Sequence, residues 1–167
     1  MRAGCPEEDQ PQTASPGIVQ DSEMLVFALI CPVTADANSV AKFEKGKLKS
    51  KNVSVSRSAH SSFDEMVEKV VTPQLRSDNT RRYLGFQVSR CEDVRALLLF
   101  SHKEEATDRG ALCVIDDAYD DYNGHARMGY SEHEPQFWKR NNREAVRGNL
   151  AELFKVRGTF QTADQWP

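Results

Sequence analysis

No stretch of this chain is apolar for long enough to cross a bilayer: its longest run, Met24 to Pro32, falls far short of the roughly 20 residues a membrane helix needs. Phosphate-binding loops are missing as well. The nine glycines are scattered, with neither G-x-G-x-x-G nor G-x-x-x-x-G-K-[ST] among them, which excludes the familiar nucleotide sites. No G-x-S-x-G elbow is present and no cysteine adjoins a histidine, so sequence motifs give a nucleophilic triad no support. Cys5, Cys31, Cys91 and Cys113 lack C-x-x-C spacing. That argues against a thiolate zinc site and predicts free, buried thiols in a reducing compartment.

A strong charge of either sign is absent too. The formal net charge of -3 gives no overall field to draw the protein onto nucleic acid or an anionic membrane. Much of the negative excess sits at the start, where Glu7, Glu8, Asp9, Asp21 and Glu23 face Arg2 alone. Residues 1–22 also hold Pro6, Pro11 and Pro16 and few apolar side chains. That composition reads as a flexible, disordered acidic tail, because it buries too little surface to offset its ordering entropy. The same start lacks the basic and apolar regions of a secretory leader, so a cytoplasmic location is the expectation. Residues 23–167 then form one domain, as 167 residues suit a single core.

Within that domain, Met24-Leu-Val-Phe-Ala-Leu-Ile-Cys31 reads as a buried strand, being continuously apolar yet too short for a typical helix. Residues 47–56 alternate lysine and apolar positions and are expected to form an exposed edge strand. Ser62 and Glu65 have capping-box spacing. They predict a helix whose stripe is Phe63, Met66, Val67, Val70 and Val71, with Pro73 ending or kinking it. Tyr83 to Val88 reads as a strand, and a second S-x-x-E at Ser89–Glu92 predicts a helix over 90–100. Ala111 to Ile115 and Gly124 to Tyr130 read as a hairpin across an acidic turn, with Asn123-Gly124 supplying the positive φ. Val146, Leu150 and Leu153 predict a last helix over 138–156, and Thr159 to Thr162 a terminal strand. Without regular βαβ alternation, the expected fold is α+β, a mostly antiparallel sheet with three helices packed on one face.

The acidic turn concentrates the titratable groups: Asp116, Asp117, Asp120, Asp121 and His125. It fails as an EF-hand. With Gly124 at the sixth loop position, Tyr119 and Tyr130 stand where the carboxylates are required. A catalytic divalent ion is the one cofactor the pattern leaves room for, held by Asp117, Asp120, Asp121 and His125. Strand alternation sends Asp116 and Asp117 to opposite faces, so the turn would have to fold back to gather the others. His125 and Asp121 are the first candidates for acid–base work. His60, ahead of a capped helix and near Arg57, is the next. For phosphate or nucleic-acid contact the candidates are Lys47, Lys49, Lys51, Arg57 and the helical stripe Arg140, Arg143 and Arg147, which follows Phe137 and Trp138. His102 and His133 fall in charged loops.

Taken together, the missing motifs favour a small, cytoplasmic, bacterial protein that acts by binding a macromolecular partner, above all another protein, as in a toxin–immunity or defence-type pair. The alternative is a metal-assisted hydrolase, of phosphodiesters for example, built on the Asp116–His125 turn, with the α-helical arginines sharing its cleft. A third reading is a nucleic-acid-binding module without catalysis.

Overall fold

In the computed structural model, the residues described are 4–98, 110–132 and 140–167. Phe137, Trp138, His102, His133, the loop 101–109 and the end of the helix expected over 90–100 lie outside them. Among the described residues, five strands form one antiparallel sheet in the order β3-β1-β2-β5-β4. They are β1 (Met24–Cys31), β2 (Val53–Arg57), β3 (Arg82–Arg90), β4 (Leu112–Asp116) and β5 (His125–Tyr130). The domain is α+β, as expected, and no helix is long and apolar enough to cross a membrane among these residues.

The continuous apolar run of β1 is explained by cover on both faces. Leu25, Phe27 and Leu29 enter one core, while Val26, Ala28 and Ile30 enter a second, the alternation a strand imposes. Three helices pack over the first core: α1 (Lys45–Lys49) through Leu48, α4 (Cys91–Ala96) through Cys91 and Val94, and α5 (Arg140–Lys155) through Val146, Leu150 and Phe154. Phe27, Phe43 and Phe154 form its aromatic centre, with ring centroids 4.6 to 5.9 Å apart. The capped helix lies on the other face instead. Its cap forms as predicted: Ser62 accepts from the Glu65 amide, and Glu65 accepts from the Ser62 amide. Its stripe meets Phe86, Phe160 and Trp166 in the second core.

That helix does not stop at Pro73. α2 (Phe63–Met66) passes through a π turn, Val67–Val71, into α3 (Thr72–Ser77). The Thr72 amide donates to the Val67 carbonyl, five residues back. Widening the turn just before a residue with no N–H lets the chain absorb the proline. Ser89 does not cap a helix, because β3 continues through Arg90 and the serine hydroxyl donates to the Arg90 carbonyl. Thr159–Thr162 supplies only a single bridge, Phe160 to Phe86. Beside that bridge Gly85 has a φ of +124°, and a Cβ there would lie 2.3 Å from the Phe160 carbonyl oxygen. Only glycine fits both demands.

The expected edge strand over 47–56 is corrected in two ways. Lys47 and Lys49 belong to α1, and Lys51 turns the chain with a φ of 56°. β2, which follows, is interior, flanked by β1 and β5. β1 meets β2 only at Leu25↔Arg57 and Val26↔Ser56. Past those two pairs the strands diverge and leave a cleft between them.

The leader expected to be a flexible tail is laid along the outer strand β4. Cys5 and Cys113, expected to be free thiols, are joined in a disulfide, and Cys31 and Cys91 stay free. The Val114 amide donates to the Glu8 carboxylate at 2.7 Å, and Arg95 donates to the Val114 carbonyl at 3.2 Å. Composition misjudged this segment because it counts apolar surface. Here a covalent tie and charged side chains hold it. We expect titration of the unfolded, unreduced protein to find two thiols. Cys113→Ser should lower unfolding stability by about 2–5 kcal/mol, the range for opening a long disulfide loop, as measured by denaturant titration.

Candidate functional site

Asp116 ends β4 and Asp117 follows it, the two turn to opposite faces, and each builds a separate cluster. Asp116 turns toward Arg57, the last residue of β2, which is only 1% exposed. Arg57 donates from Nε and Nη2 to the two Glu23 carboxylate oxygens, both at 2.7 Å. Nη1 donates to Asp116 at 3.2 Å and to the Gly17 carbonyl at 2.8 Å, and Nη2 also to the Ile18 carbonyl at 3.4 Å. The other Asp116 oxygen accepts from the Gln12 amide at 2.8 Å. A guanidinium has five N–H donors, and here they serve two carboxylates and two carbonyls. Arg57 therefore has no surface to offer a phosphate, which corrects its expected role.

His60 belongs to this first cluster, its Nε2 4.0 Å from Glu23. Burial alone would push the Glu23 carboxyl up. The Arg57 hydrogen bonds, the Gln20 amide and the positive charge of Arg57 outweigh it and hold Glu23 below its ordinary range.

Asp117 turns to the opposite face and meets His125. His125 Nδ1 lies 3.0 Å from Asp117 Oδ2, with the Asp117 carbonyl at 3.1 Å. On the far side of the ring, His125 Nε2 lies 2.6 Å from the hydroxyl of Ser54. Sheet register explains the meeting. His125 sits opposite Ser56 on β2, and the diagonal neighbour on the same face is Ser54, within reach of a long side chain. Ser56 is engaged elsewhere, with the hydroxyl of Tyr122. The Asp117 carbonyl, an acceptor only, takes the hydrogen bond at Nδ1 and so selects the tautomer with a proton there, leaving Nε2 to accept from Ser54, while the carboxylate stands at ion-pair distance. Tyr119 and Tyr122 flank the imidazole with ring centroids at 5.3 and 5.8 Å. Burial pushes both phenols above their ordinary value, so both keep their protons.

The turn that brings Asp117 back onto His125 needs glycine for a reason the sequence reading did not foresee. Gly124 is not among the residues with positive φ. A Cβ there would fall 2.6 Å from Ser61 Cβ and 2.7 Å from the His60 carbonyl oxygen. Close approach sets this glycine, and its carbonyl accepts from the Arg57 amide at 2.7 Å.

Of the proposed metal ligands, only Asp117 and His125 come together. Asp121 is exposed and pairs with Lys69 at 3.2 Å, and Asp120 is exposed in the turn. Among the described residues the one convergence of three potential ligands is Cys5, Glu8 and Cys113, and its two sulfurs are bonded to each other.

The basic candidates scatter. Lys51 is buried between Glu7 and Glu132, each at 2.7 Å, which removes it from phosphate contact. Lys47 and Lys49 are exposed on α1. Arg140 pairs with Glu144 at 3.0 Å, Arg147 donates to the Phe43 carbonyl, and the Arg143 carbonyl accepts from Tyr130. All three arginines ride on α5, across the sheet from His125.

No protein-family model, curated protein or solved structure matches the chain. The site is therefore read from its own geometry. Ser54 is the residue that sequence reasoning missed. The available signal was that Ser54 and Ser56 share the face opposite Val53 and Val55, but nothing local says that β2 pairs with β5. Cys91, the one free cysteine in a core, is inert, because burial pushes its thiol up to about 12.

The Arg57 cluster generates a pH prediction. Since Glu23 is held below its usual value of 4.5, its contribution to stability is complete above that pH. It is lost as pH falls through the lowered value. Chemical denaturation should show the folded state weakening below pH ~4.5, and Glu23→Gln should flatten that acid dependence. The same variant should cost about 3 kcal/mol at neutral pH by leaving the buried guanidinium short of charge.

Proposed function

We propose that the protein is a hydrolase acting by acyl transfer, with Ser54 as nucleophile, His125 as general base and Asp117 as the group that orients the imidazole. The supporting observation is that Ser54 Oγ lies 2.6 Å from His125 Nε2, while His125 Nδ1 is hydrogen-bonded to the Asp117 carbonyl at 3.1 Å with the Asp117 carboxylate 3.0 Å away. A hydroxyl is a weak nucleophile unless an adjacent base takes its proton, and the base works best when a third group fixes its tautomer and stabilises the imidazolium. The parts are ordered along the chain as Ser, Asp, His, on three different strands or strand ends.

Access favours the same reading. Ser54 is partly exposed and lines the cleft opened where β1 and β2 diverge, together with Phe27, Val53, Val70, Gln74 and Lys42. The space is small, about 50 Å³. It suits a short acyl group better than a large one. In the reaction, Ser54 Oγ bonds to the substrate carbonyl carbon as His125 takes the hydroxyl proton. Collapse of the adduct breaks the bond to the leaving group, which receives that proton. Water, deprotonated by His125, then releases the acyl group and restores Ser54.

An aryl acetate ester and a fluorophosphonate probe test this directly. The wild-type chain should turn over the ester and be labelled on Ser54, and Ser54→Ala should abolish labelling. His125→Ala and Asp117→Asn should each lower kcat/KM by about 10³-fold or more. A wild-type chain inert to both reagents would return the protein to the binding class that its missing motifs suggest.

A further inference from the structure

We propose that Arg127 is the group that meets the negative charge developing on the substrate's carbonyl oxygen, an inference that rests on the acyl-transfer reading above. Attack by Ser54 moves the carbonyl π pair onto oxygen, and that oxygen needs a preorganised donor beside the nucleophile. Arg127 is placed for this by register. It is the residue directly opposite Ser54 across the β2/β5 pair, and opposed residues share a face with Cβ atoms about 4.5–5.5 Å apart.

Its guanidinium is held in place, yet part of it is unspent. Nη1 donates to the Lys51 carbonyl at 3.2 Å. Nε stands 3.5 Å from Asp117 Oδ1, an ion-pair distance without a hydrogen bond, and this buried nitrogen has no acceptor. A buried donor left without an acceptor is costly; Nε itself is enclosed, so an oxyanion would be met by the rest of a side chain that keeps 24% of its surface exposed. The nearby cations are engaged elsewhere: Lys69 with Asp121 and Glu68, and Lys42 with the Pro32 carbonyl. Arginine also brings a permanent charge and a planar fork able to give an oxyanion two parallel hydrogen bonds. Asp117 then serves two neighbours, one oxygen facing His125 and the other facing Arg127, so the base and the cation share one anchor.

The experiment compares wild type with Arg127→Gln and Arg127→Lys on the aryl acetate, alongside binding of a short alkylboronic acid, which forms a tetrahedral anionic adduct on the serine. Arg127→Gln should lower kcat by about 10²–10³-fold with KM within about twofold, the size seen when one oxyanion donor is removed. Boronate affinity should fall in parallel with kcat/KM. Arg127→Lys, which keeps the charge and the fold but loses the fork, should recover part of the loss. If Ser54→Ala is inactive but both Arg127 variants keep kcat within about threefold, or if KM rises in step with the loss while boronate affinity holds, the assignment of Arg127 is overturned and the role of Ser54 stands. If wild type neither turns over the ester nor binds the boronate, the role of Ser54 is overturned and that of Arg127 with it.

Discussion

The structure hangs on one buried cation. Arg57 joins four segments at one point: the leader through Gly17 and Ile18, the approach to β1 through Glu23, its own strand β2, and the end of β4 through Asp116. A charge taken out of water is tolerated only when its hydrogen bonds are met, so these partners are a requirement and cannot be traded away one at a time. The consequence reaches the opposite face. With Asp116 committed inward to Arg57, the next residue must point outward. The chain then folds back so that Asp117 stands against His125, while the Arg57 amide holds the turn through Gly124.

The second face of the sheet is divided. Over β1 and β3 the helix of residues 63–77 and the C-terminal aromatics form an apolar layer. Over β2 and β5 the same side of the strands carries Ser54, Ser56, His125 and Arg127: Ser54 bonds to His125, Ser56 to Tyr122 of the acidic turn, and Arg127 stands at ion-pair distance from Asp117. Divergence of β1 from β2 places the cleft at the boundary between these halves, so a group entering it meets Phe27, Val53 and Val70 beside Lys42, Ser54 and Gln74. Trp166, in the apolar layer, donates to the carbonyls of Ser58 and Ser61.

Local patterns were readable in the sequence, and distant meetings were not. The apolar run of β1, the Ser62–Glu65 cap, the β4–β5 hairpin and the last helix each follow from residues within a turn or two of one another. Alternation also separated Asp116 from Asp117 correctly. Ser54 stayed hidden because its importance comes from β5, far away in sequence, and lysine-rich surroundings made its strand look like an edge. The leader was misjudged for a related reason: its apolar content is low, and its partners at Cys113, Val114, Arg57 and Arg95 lie in other elements. Pro73 read as an end or a kink, and which of the two was not legible because the π turn that accommodates it has no sequence signature.

The outer edge of β4 has a further meaning. An edge strand is ordinarily open to any chain that can present a matching backbone. Here one N–H and one C=O of Val114 are occupied by a carboxylate and a guanidinium, which also pair with each other at 3.2 Å. The sheet is thus completed by an ion pair in place of a sixth strand. An intruding segment would have to strip two opposite charges from each other before forming its first hydrogen bond, so the barrier to sheet-to-sheet growth is electrostatic and independent of the intruder's sequence.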